Sequence, residues 1–290
     1  MQELHYDCPT SLQDVVGLLD GGTARLLAGG TDLIPQLREG RRSASRIVNL
    51  KRIPELNAIE RGADGSWRIG AAVTVGKLAR NAAFAAEHAA LLASAQLIGS
   101  LQIQNRASLG GNVCNAAPSA DAVPLLICLD AMAEIAGPSG GRTIPVASMA
   151  TAPGRTSMTN GEILVALVLP AVRMRTASAY QRFTPRREMD IAIAGAAAWI
   201  ELDARGVIID AKIALASVAP TPLVATQAQQ SLLGSKPALA LFAEAASVAA
   251  QEARPISDTR GSADYRRHLV AVLTRRVLAT CAAELGCKVE

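Results

Sequence analysis

The chain has 290 residues, half of them apolar but only 3% aromatic, and its formal net charge is +4. This length suits two domains, or one large domain with a smaller one, and the apolar fraction can fill a substantial core. Basic residues are dispersed in short clusters and few aromatic rings are present to stack on bases, which disfavours nucleic-acid binding. No apolar run approaches the roughly twenty residues of a membrane-spanning helix, so no transmembrane segment is predicted.

The five cysteines favour a reducing compartment over a disulfide framework. They are odd in number, widely spaced and without any C-x-x-C pair. This usage predicts reduced thiols in the cytoplasm and no metal or iron–sulfur ligand set in this chain. The first residues also lack the basic and apolar regions of a secretory signal. Cys114 is the thiol of most interest, because it follows a glycine pair.

The first hundred residues predict short strands alternating with helices. Apolar side chains in residues 11–19 recur at helical spacing, and Gly21-Gly22 would end that helix. The further predicted elements are buried strands at 24–27, 47–50 and 67–73, a helical turn at 33–37, and two helices within 75–98, the first capped by Thr74.

The middle of the chain contains a long segment without clear periodicity. Residues 100–118 predict nineteen residues of irregular structure around a glycine pair. Such a loop is unusual within a compact domain unless it is functional. Beyond it the sequence predicts a helix at 123–129, strands at 132–135, 142–146, 163–169, 179–183, 191–202 and 207–216, and helices at 237–253 and 263–285. The sequence texture changes near 171–176, which predicts domains at 1–173 and 174–290.

Two glycine pairs about eighty residues apart are the most informative motifs, Ala28-Gly29-Gly30-Thr31-Asp32 and Ser108-Leu109-Gly110-Gly111-Asn112. Glycine admits backbone conformations closed to other residues, and successive N–H groups in such turns form a cradle for phosphate. Neither segment is a G-x-G-x-x-G or a G-x-x-x-x-G-K-[ST] fingerprint. Each pair is therefore open to two interpretations, an ordinary tight turn or part of a diphosphate site.

The polar residues around these pairs leave similar alternatives. Asp32 can cap the turn that follows it, or it can serve a cofactor. The small residues after Ser108 leave room for a flat ligand, and they equally suit close packing on a neighbouring helix. Hydrogen-bonding side chains along this segment are Ser108, Asn112, Asn115, Ser119 and Asp121, the last of which could accept from a ribitol hydroxyl.

Together these residues carry a resemblance to a known family. The motifs A-G-G-T-D-L and S-L-G-G-N-x-x-N-A-x-P-x-A-D resemble those of the FAD-binding subunits of molybdenum hydroxylases, the xanthine dehydrogenase and aerobic carbon monoxide dehydrogenase family. Segments 161–164, 186–192 and 258–267 agree in order and spacing, so the resemblance covers essentially the whole chain. It implies an α+β fold, with a two-lobed FAD-binding domain of the vanillyl-alcohol-oxidase type. A C-terminal α+β domain with a three-stranded antiparallel sheet and helices would follow it.

The resemblance also implies the cofactor contacts. Main-chain donors of the two glycine segments would wrap the FAD diphosphate, Asp121 would accept a hydrogen bond from the cofactor, and Leu164 would lie against the isoalloxazine ring. Residues 180–190 would close over the flavin, with Arg182 as a further contact. The implied cofactor-binding residues are Leu27, Ala28, Gly29, Gly30, Thr31, Asp32, Leu33, Ser108, Leu109, Gly110, Gly111, Asn112, Asp121, Leu164 and Arg182.

The function implied is electron transfer within a complex. FAD in this chain would take electrons from [2Fe–2S] clusters of a small subunit and pass them to NAD, oxygen, a quinone or another acceptor. A large molybdenum-cofactor subunit would hydroxylate the substrate, in a heterotrimer that can itself pair. No catalytic side chain is expected, because a relaying flavin needs positioning and shielding. The alternatives are a free-standing FAD-dependent oxidoreductase with its own small-molecule substrate, and a scaffold that has lost its cofactor.

Overall fold

The computed structural model describes residues 4–19 and 23–289, so the helix stop predicted at Gly21-Gly22 lies outside the described residues. The first lobe is built on a parallel three-stranded sheet. Its elements are strand β1 (His5–Asp7), helix α1 (Leu12–Leu18), strand β2 (Ala24–Leu27), helix α2 (Leu33–Arg38) and strand β3 (Arg46–Asn49). The strand order is β1-β3-β2. Helix α1 lies within the predicted residues 11–19, and Ser11 caps it through its side-chain oxygen.

The second lobe contains an antiparallel five-stranded sheet covered by helices. Its strands, in sheet order β4-β5-β10-β6-β7, are β4 (Ile59–Arg61), β5 (Trp67–Gly70), β6 (Met132–Gly137), β7 (Gly140–Pro145) and β10 (Ile163–Leu169), and a separate hairpin comprises β8 (Ala150–Ala152) and β9 (Arg155–Thr156). Strand β10 is central and almost fully buried, which explains its uninterrupted apolar sequence.

The helices of the second lobe are short. They are α3 (Val75–Ala79), α4 (Ala82–Glu87), α5 (Ala89–Ala95), α6 (Leu101–Gln104), α7 (Leu109–Asn115) and α8 (Val123–Cys128). Thr74 caps α3 as predicted, but the two helices predicted within 75–98 are three, because Asn81 and His88 break the run. The long irregular segment predicted at 100–118 is also wrong, since it contains α6 and α7. Gly110 and Gly111 lower intrinsic helix propensity, yet the Ser108 cap and packing on Ala71 override it.

The C-terminal domain consists of an antiparallel sheet with helices on one face. Its elements are β11 (Thr176–Phe183), β12 (Ala194–Leu202), β13 (Ile208–Ala216), β14 (Leu223–Val224), α9 (Thr226–Leu232), α10 (Leu239–Glu252) and α11 (Ala263–Glu284). The sheet has four strands rather than the expected three, because the two-residue β14 pairs with β13. A strand so short leaves no readable alternation in the sequence. The α+β architecture of a two-lobed domain followed by a smaller one is otherwise as expected.

The C-terminal sheet is buried on both faces. Alternate residues of β12 point to opposite sides, so Ala196 and Ala198 join the core beneath α10 and α11, whereas Ala197 and Trp199 join the core of the second lobe. Alanine at most of these positions lets both layers approach closely. Among the described residues, no helix is both long and apolar enough to cross a bilayer.

Candidate functional site

A cleft of about 320 Å³ opens between the two lobes of the first domain, and both glycine segments form its walls. The third wall comes from residues 158–164, which lead into β10. Of the residues singled out from the sequence, those lining the cleft are Ala28, Gly29, Gly30, Thr31, Asp32, Leu33, Ser108, Gly110, Gly111, Asn112 and Leu164. The structure therefore brings together two turns that lie about eighty residues apart in the chain.

Direct contacts hold the two glycine segments beside each other. Arg106 Nε donates to the carbonyl oxygen of Gly29 over 3.3 Å, and Gln36 Nε2 donates to Asn115 Oδ1 over 3.2 Å. The second of these bonds joins α2, which follows the first glycine turn, to α7, which contains the second glycine pair. A Cβ atom on Gly29 would lie 2.8 Å from the carbonyl carbon of Arg106, so glycine is required for this close approach.

The first turn presents backbone donors to the cleft. Gly30 has φ +81°, in the left-handed region, and its carbonyl oxygen accepts from the N–H of Ile34. Within the described parts of the chain, no acceptor is found for the N–H groups of Thr31, Asp32 and Leu33. These donors are at a cleft wall, where an anion can be bound.

Asp32 does not behave as its capping interpretation predicts. It precedes α2, but its side chain makes no capping hydrogen bond within the described residues. Asp32 is exposed, but neighbouring protein atoms partly desolvate its carboxyl group and raise its pKa above the ordinary value, while Arg41 and Arg42 act in the opposite direction. The capping interpretation is therefore wrong, and Asp32 remains among the residues that line the cleft.

The glycines of the second segment have separate tasks. Ser108 Oγ caps α7 by accepting from the N–H of Gly111 over 3.0 Å. A Cβ on Gly110 would lie 2.6 Å from Ala71 Cα, so this glycine permits the helix to pack on the second lobe. A Cβ on Gly111 would meet only Ser108 Oγ, at 3.1 Å, among its neighbours. Gly111 thus keeps space open in the cleft, whereas Gly110 serves packing.

Glu162 of the third wall forms a charged pair with Arg142 that the sequence did not single out. Arg142 donates to both oxygens of Glu162, at 2.7 and 2.8 Å, and Glu162 also accepts from the N–H of Thr159 at 2.6 Å. These bonds lower the pKa of Glu162 to about 2. Leu164, two residues further along, is buried and lines the cleft. Nothing in local sequence pattern pairs Arg142 on β7 with Glu162, directly before β10, so this contact could not be predicted.

Four of the sequence-derived candidates lie elsewhere. Leu27 and Leu109 are buried in the protein core. Asp121 and Arg182 form an ion pair of 2.5 Å with little exposure on either side chain, and Tyr180 donates to the other Asp121 oxygen at 3.0 Å. None of these residues lines the cleft. Their contact with a cofactor stays a prediction.

The basic residues near the C-terminus have internal partners. Arg266 is buried and donates to the carbonyl oxygens of Ile193 and Ser217 and to Asp258. Arg260 pairs with Asp190 at 3.2 Å. These bonds join α11 and its preceding turn to the sheet, so the motif around 258–267 is structural in this chain. Cys114 lines the cleft, but burial raises the pKa of its thiol to about 12.

A two-lobed α+β domain with converging glycine turns, joined to a sheet-and-helix domain, defines a flavoprotein subunit. Residues 2–172 match the family described as the FAD binding domain in molybdopterin dehydrogenase, and residues 178–281 match the CO dehydrogenase flavoprotein C-terminal domain. The chain belongs to this family of FAD-binding subunits of xanthine dehydrogenase and carbon monoxide dehydrogenase type.

Individual relatives span nearly the whole chain. A xanthine dehydrogenase FAD-binding subunit of Escherichia coli O157:H7 is 34% identical, over 98% of both chains. A carbon monoxide dehydrogenase medium chain of Hydrogenophaga pseudoflava is 31% identical, over 94% of this chain and 95% of that one. A solved structure of carbon monoxide dehydrogenase from Hydrogenophaga pseudoflava, lacking the Mo-pyranopterin moiety, superimposes with a TM-score of 0.93 at 30% identity, covering 99% of each chain.

The cleft fits the cofactor of this family in its donor chemistry. FAD carries a diphosphate, and the cleft offers uncommitted N–H groups at the turn before α2, within the described residues. Gly111 leaves room for a ligand to reach the backbone of α7. FAD is the cofactor of this family, whose matched domain is described as FAD-binding.

Proposed function

We propose that this chain relays electrons through FAD within a molybdenum hydroxylase complex. The observation that supports this proposal most strongly is the convergence of both glycine turns on one cleft. Bound FAD would supply one- and two-electron redox chemistry, which lets it join one-electron iron–sulfur donors to an external acceptor. The protein's own task is then to bind, orient and shield the cofactor.

The residues that would hold FAD fall into three groups. N–H groups of Thr31, Asp32 and Leu33 would donate to the diphosphate, and the absence of a side chain at Gly111 would let the cofactor approach. Leu164 would supply an apolar contact for the flavin ring. The remaining sequence-derived contacts are Leu27, Ala28, Gly29, Gly30, Ser108, Leu109, Gly110, Asn112, Asp121 and Arg182.

The division of labour between subunits follows from what the relatives are. The matched proteins include FAD subunits and medium chains of several dehydrogenases. By analogy, this chain would assemble with a small [2Fe–2S] subunit and a large molybdenum-cofactor subunit, as a heterotrimer that can pair, in the cytoplasm. The FAD-binding domain would end near residue 173, an assignment supported by separate family matches on either side. The external acceptor would bind on the flavin side of the complex.

A reconstitution experiment tests this function. The purified chain is loaded with FAD, and its flavin content and reduction by a chemical donor are recorded by visible spectroscopy. We expect about one FAD per chain, reversible reduction, and no hydroxylation of heterocycles or aldehydes by the chain alone. Substrate hydroxylation by the isolated chain would contradict the relay, and a colourless folded chain that takes up no FAD would contradict the cofactor assignment.

A further inference from the structure

A buried polar cluster joins the C-terminal domain to the FAD-binding domain, beside the apolar contacts of β12. The carboxylate of Asp121 accepts from Tyr180 Oη at 3.0 Å through Oδ1 and from Arg182 at 2.5 Å through Oδ2. Asp121 lies between α7 and α8, whereas Tyr180 and Arg182 lie on β11. The side chains of Arg182 and Asp121 are only 6% and 9% exposed. Both carboxylate oxygens are therefore engaged by the other domain, away from bulk water.

The arrangement of side chains on β11 allows both hydrogen bonds to Asp121. Tyr180 and Arg182 are two residues apart, so their side chains point to the same face of the sheet. Arg182 pairs with Gly195 on β12, and a Cβ on Gly195 would lie 2.5 Å from the Tyr180 hydroxyl oxygen. The absence of a side chain at 195 thus leaves space for the phenol to extend towards Asp121.

A second bond carries the contact towards the cleft. Asn112 lines the cleft on α7, and its Oδ1 accepts from the N–H of Ala122 over 3.4 Å. Ala122 is the residue directly after Asp121. The segment that β11 holds through Asp121 is therefore also hydrogen-bonded to α7, the helix that contains the second glycine pair. A shift of Asp121 would be transmitted to the cleft wall through this bond.

We propose that Tyr180 is a positioning residue: by holding Asp121 it couples the docking of the C-terminal domain to retention of the cofactor in the cleft. The inference rests on the proposed function, since it concerns FAD affinity. Tyr180 itself needs no contact with the cofactor. Its hydroxyl fixes the Asp121 segment, and Arg182 supplies the opposite charge that offsets the desolvation of the buried carboxyl group.

The electrostatics give this role a distinctive signature. Burial raises the pKa of Asp121, while Arg182 and the Tyr180 hydrogen bond lower it. Arg182 and Tyr180 are the charged and titratable groups that act on this carboxyl among the described residues. Removing the Tyr180 hydroxyl therefore moves the pKa of Asp121 upward. As the pH falls, the Asp121 carboxylate then takes up its proton at a higher pH, and its ion pair with Arg182 is lost. A loss of packing alone would carry no such pH dependence.

The test compares Tyr180→Phe with Tyr265→Phe. Tyr265 is an exposed tyrosine on α11, and its ring contacts Phe183. FAD binding to the apo forms of the full chain is titrated by flavin fluorescence from pH 8 to pH 5. We expect Tyr180→Phe to weaken FAD about tenfold at pH 8, the scale of one hydrogen bond to a charged group. The deficit should grow towards pH 5, while Tyr265→Phe matches the unaltered chain throughout.

A measurement without FAD separates this inference from the cofactor assignment. Amide hydrogen exchange of the segment 118–123 in the apo-protein should be faster in Tyr180→Phe than in Tyr265→Phe. Equal FAD affinity of the two variants at every pH, or a pH-independent deficit in Tyr180→Phe, overturns the positioning role. If the unaltered chain binds no FAD while the exchange difference is present, the cofactor assignment fails, and the coupling to retention fails with it.

Discussion

Gly29 and Arg106 are in contact through both backbone and side chain, and this contact joins the two cleft walls. The guanidinium of Arg106 donates to the Gly29 carbonyl oxygen, and the two backbones are so close that a Cβ on Gly29 would overlap the carbonyl group of Arg106. Arg106, three residues before the start of α7, thus supports the first glycine turn. The shape of the cleft depends on this approach as well as on groups that would touch a ligand.

Replacing Gly29 by alanine should therefore destabilise the fold. The new methyl group meets backbone atoms that cannot rotate away, and overpacking of this kind costs about 1–3 kcal/mol. The free energy of unfolding, from urea denaturation of the apo-protein, measures the effect. Gly17→Ala is the matched control, since nothing lies within 4 Å of a Cβ there and the site is inside α1. An unchanged stability for Gly29→Ala would contradict the close approach.

Gly111→Val should instead abolish flavin retention in a chain that still folds. Its first added carbon meets only Ser108 Oγ, so the branched side chain projects into the cleft and excludes the ligand. An overlap of about 3 kcal/mol would weaken FAD roughly a hundredfold. Flavin content after purification and the circular dichroism spectrum are measured together, with Gly17→Val as control. Full FAD occupancy in a folded Gly111→Val chain would contradict the assignment of the second glycine segment to the FAD site.

The Arg142–Glu162 pair should give a defined acid sensitivity. The pKa of Glu162 is lowered to about 2 in the folded chain by Arg142 and the Thr159 N–H. A carboxyl with a depressed folded pKa stabilises the protein above its unfolded pKa of about 4.3, and that contribution is lost as the pH falls towards about 2. In a double-mutant cycle with Glu162→Gln and Arg142→Gln, the coupling should be present at pH 6 and absent near pH 2. A pH-independent coupling would rule out this account.

Cys114 should resist alkylation although it lines the cleft. Burial raises the pKa of its thiol to about 12, so almost no thiolate is present at pH 8. Mass spectrometry after brief iodoacetamide treatment should find Cys114 unmodified in the native chain and modified in urea. Rapid modification of the native protein would mean that the thiol is ionised, contrary to its buried position.

The elements that could be predicted from sequence are those with long, continuous signals. Strand β10 follows directly from seven apolar residues closed by Pro170, and α11 from a helical pattern led by a capping Ser262. Helix α7 was missed because local propensity argues against Gly110-Gly111, whereas packing on Ala71 decides the outcome. Short strands such as β14 carry too few residues for alternation to appear.

The two glycine segments of the candidate site could be singled out from the sequence, but the hydrogen-bond partners of its side chains could not. Two glycine pairs with small neighbours indicated close approach to a ligand, and the structure brings them to one cleft. The partners of Asp121 lie 59 and 61 positions away in sequence, so no spacing rule could reveal them. Glu162, directly before β10, likewise depends on a partner twenty residues earlier, on β7.

The double-sided burial of β12 has a consequence for how this polypeptide can be handled. A C-terminal fragment that begins near residue 173 would lack the first domain. Ala197, Trp199 and Ala214 would then form an apolar sheet surface exposed to solvent. Such a fragment is expected to aggregate when it is produced alone. Each domain therefore shields an apolar face of the other. A chimera that takes one domain from a homologue must keep side chains of about alanine size where the two domains meet.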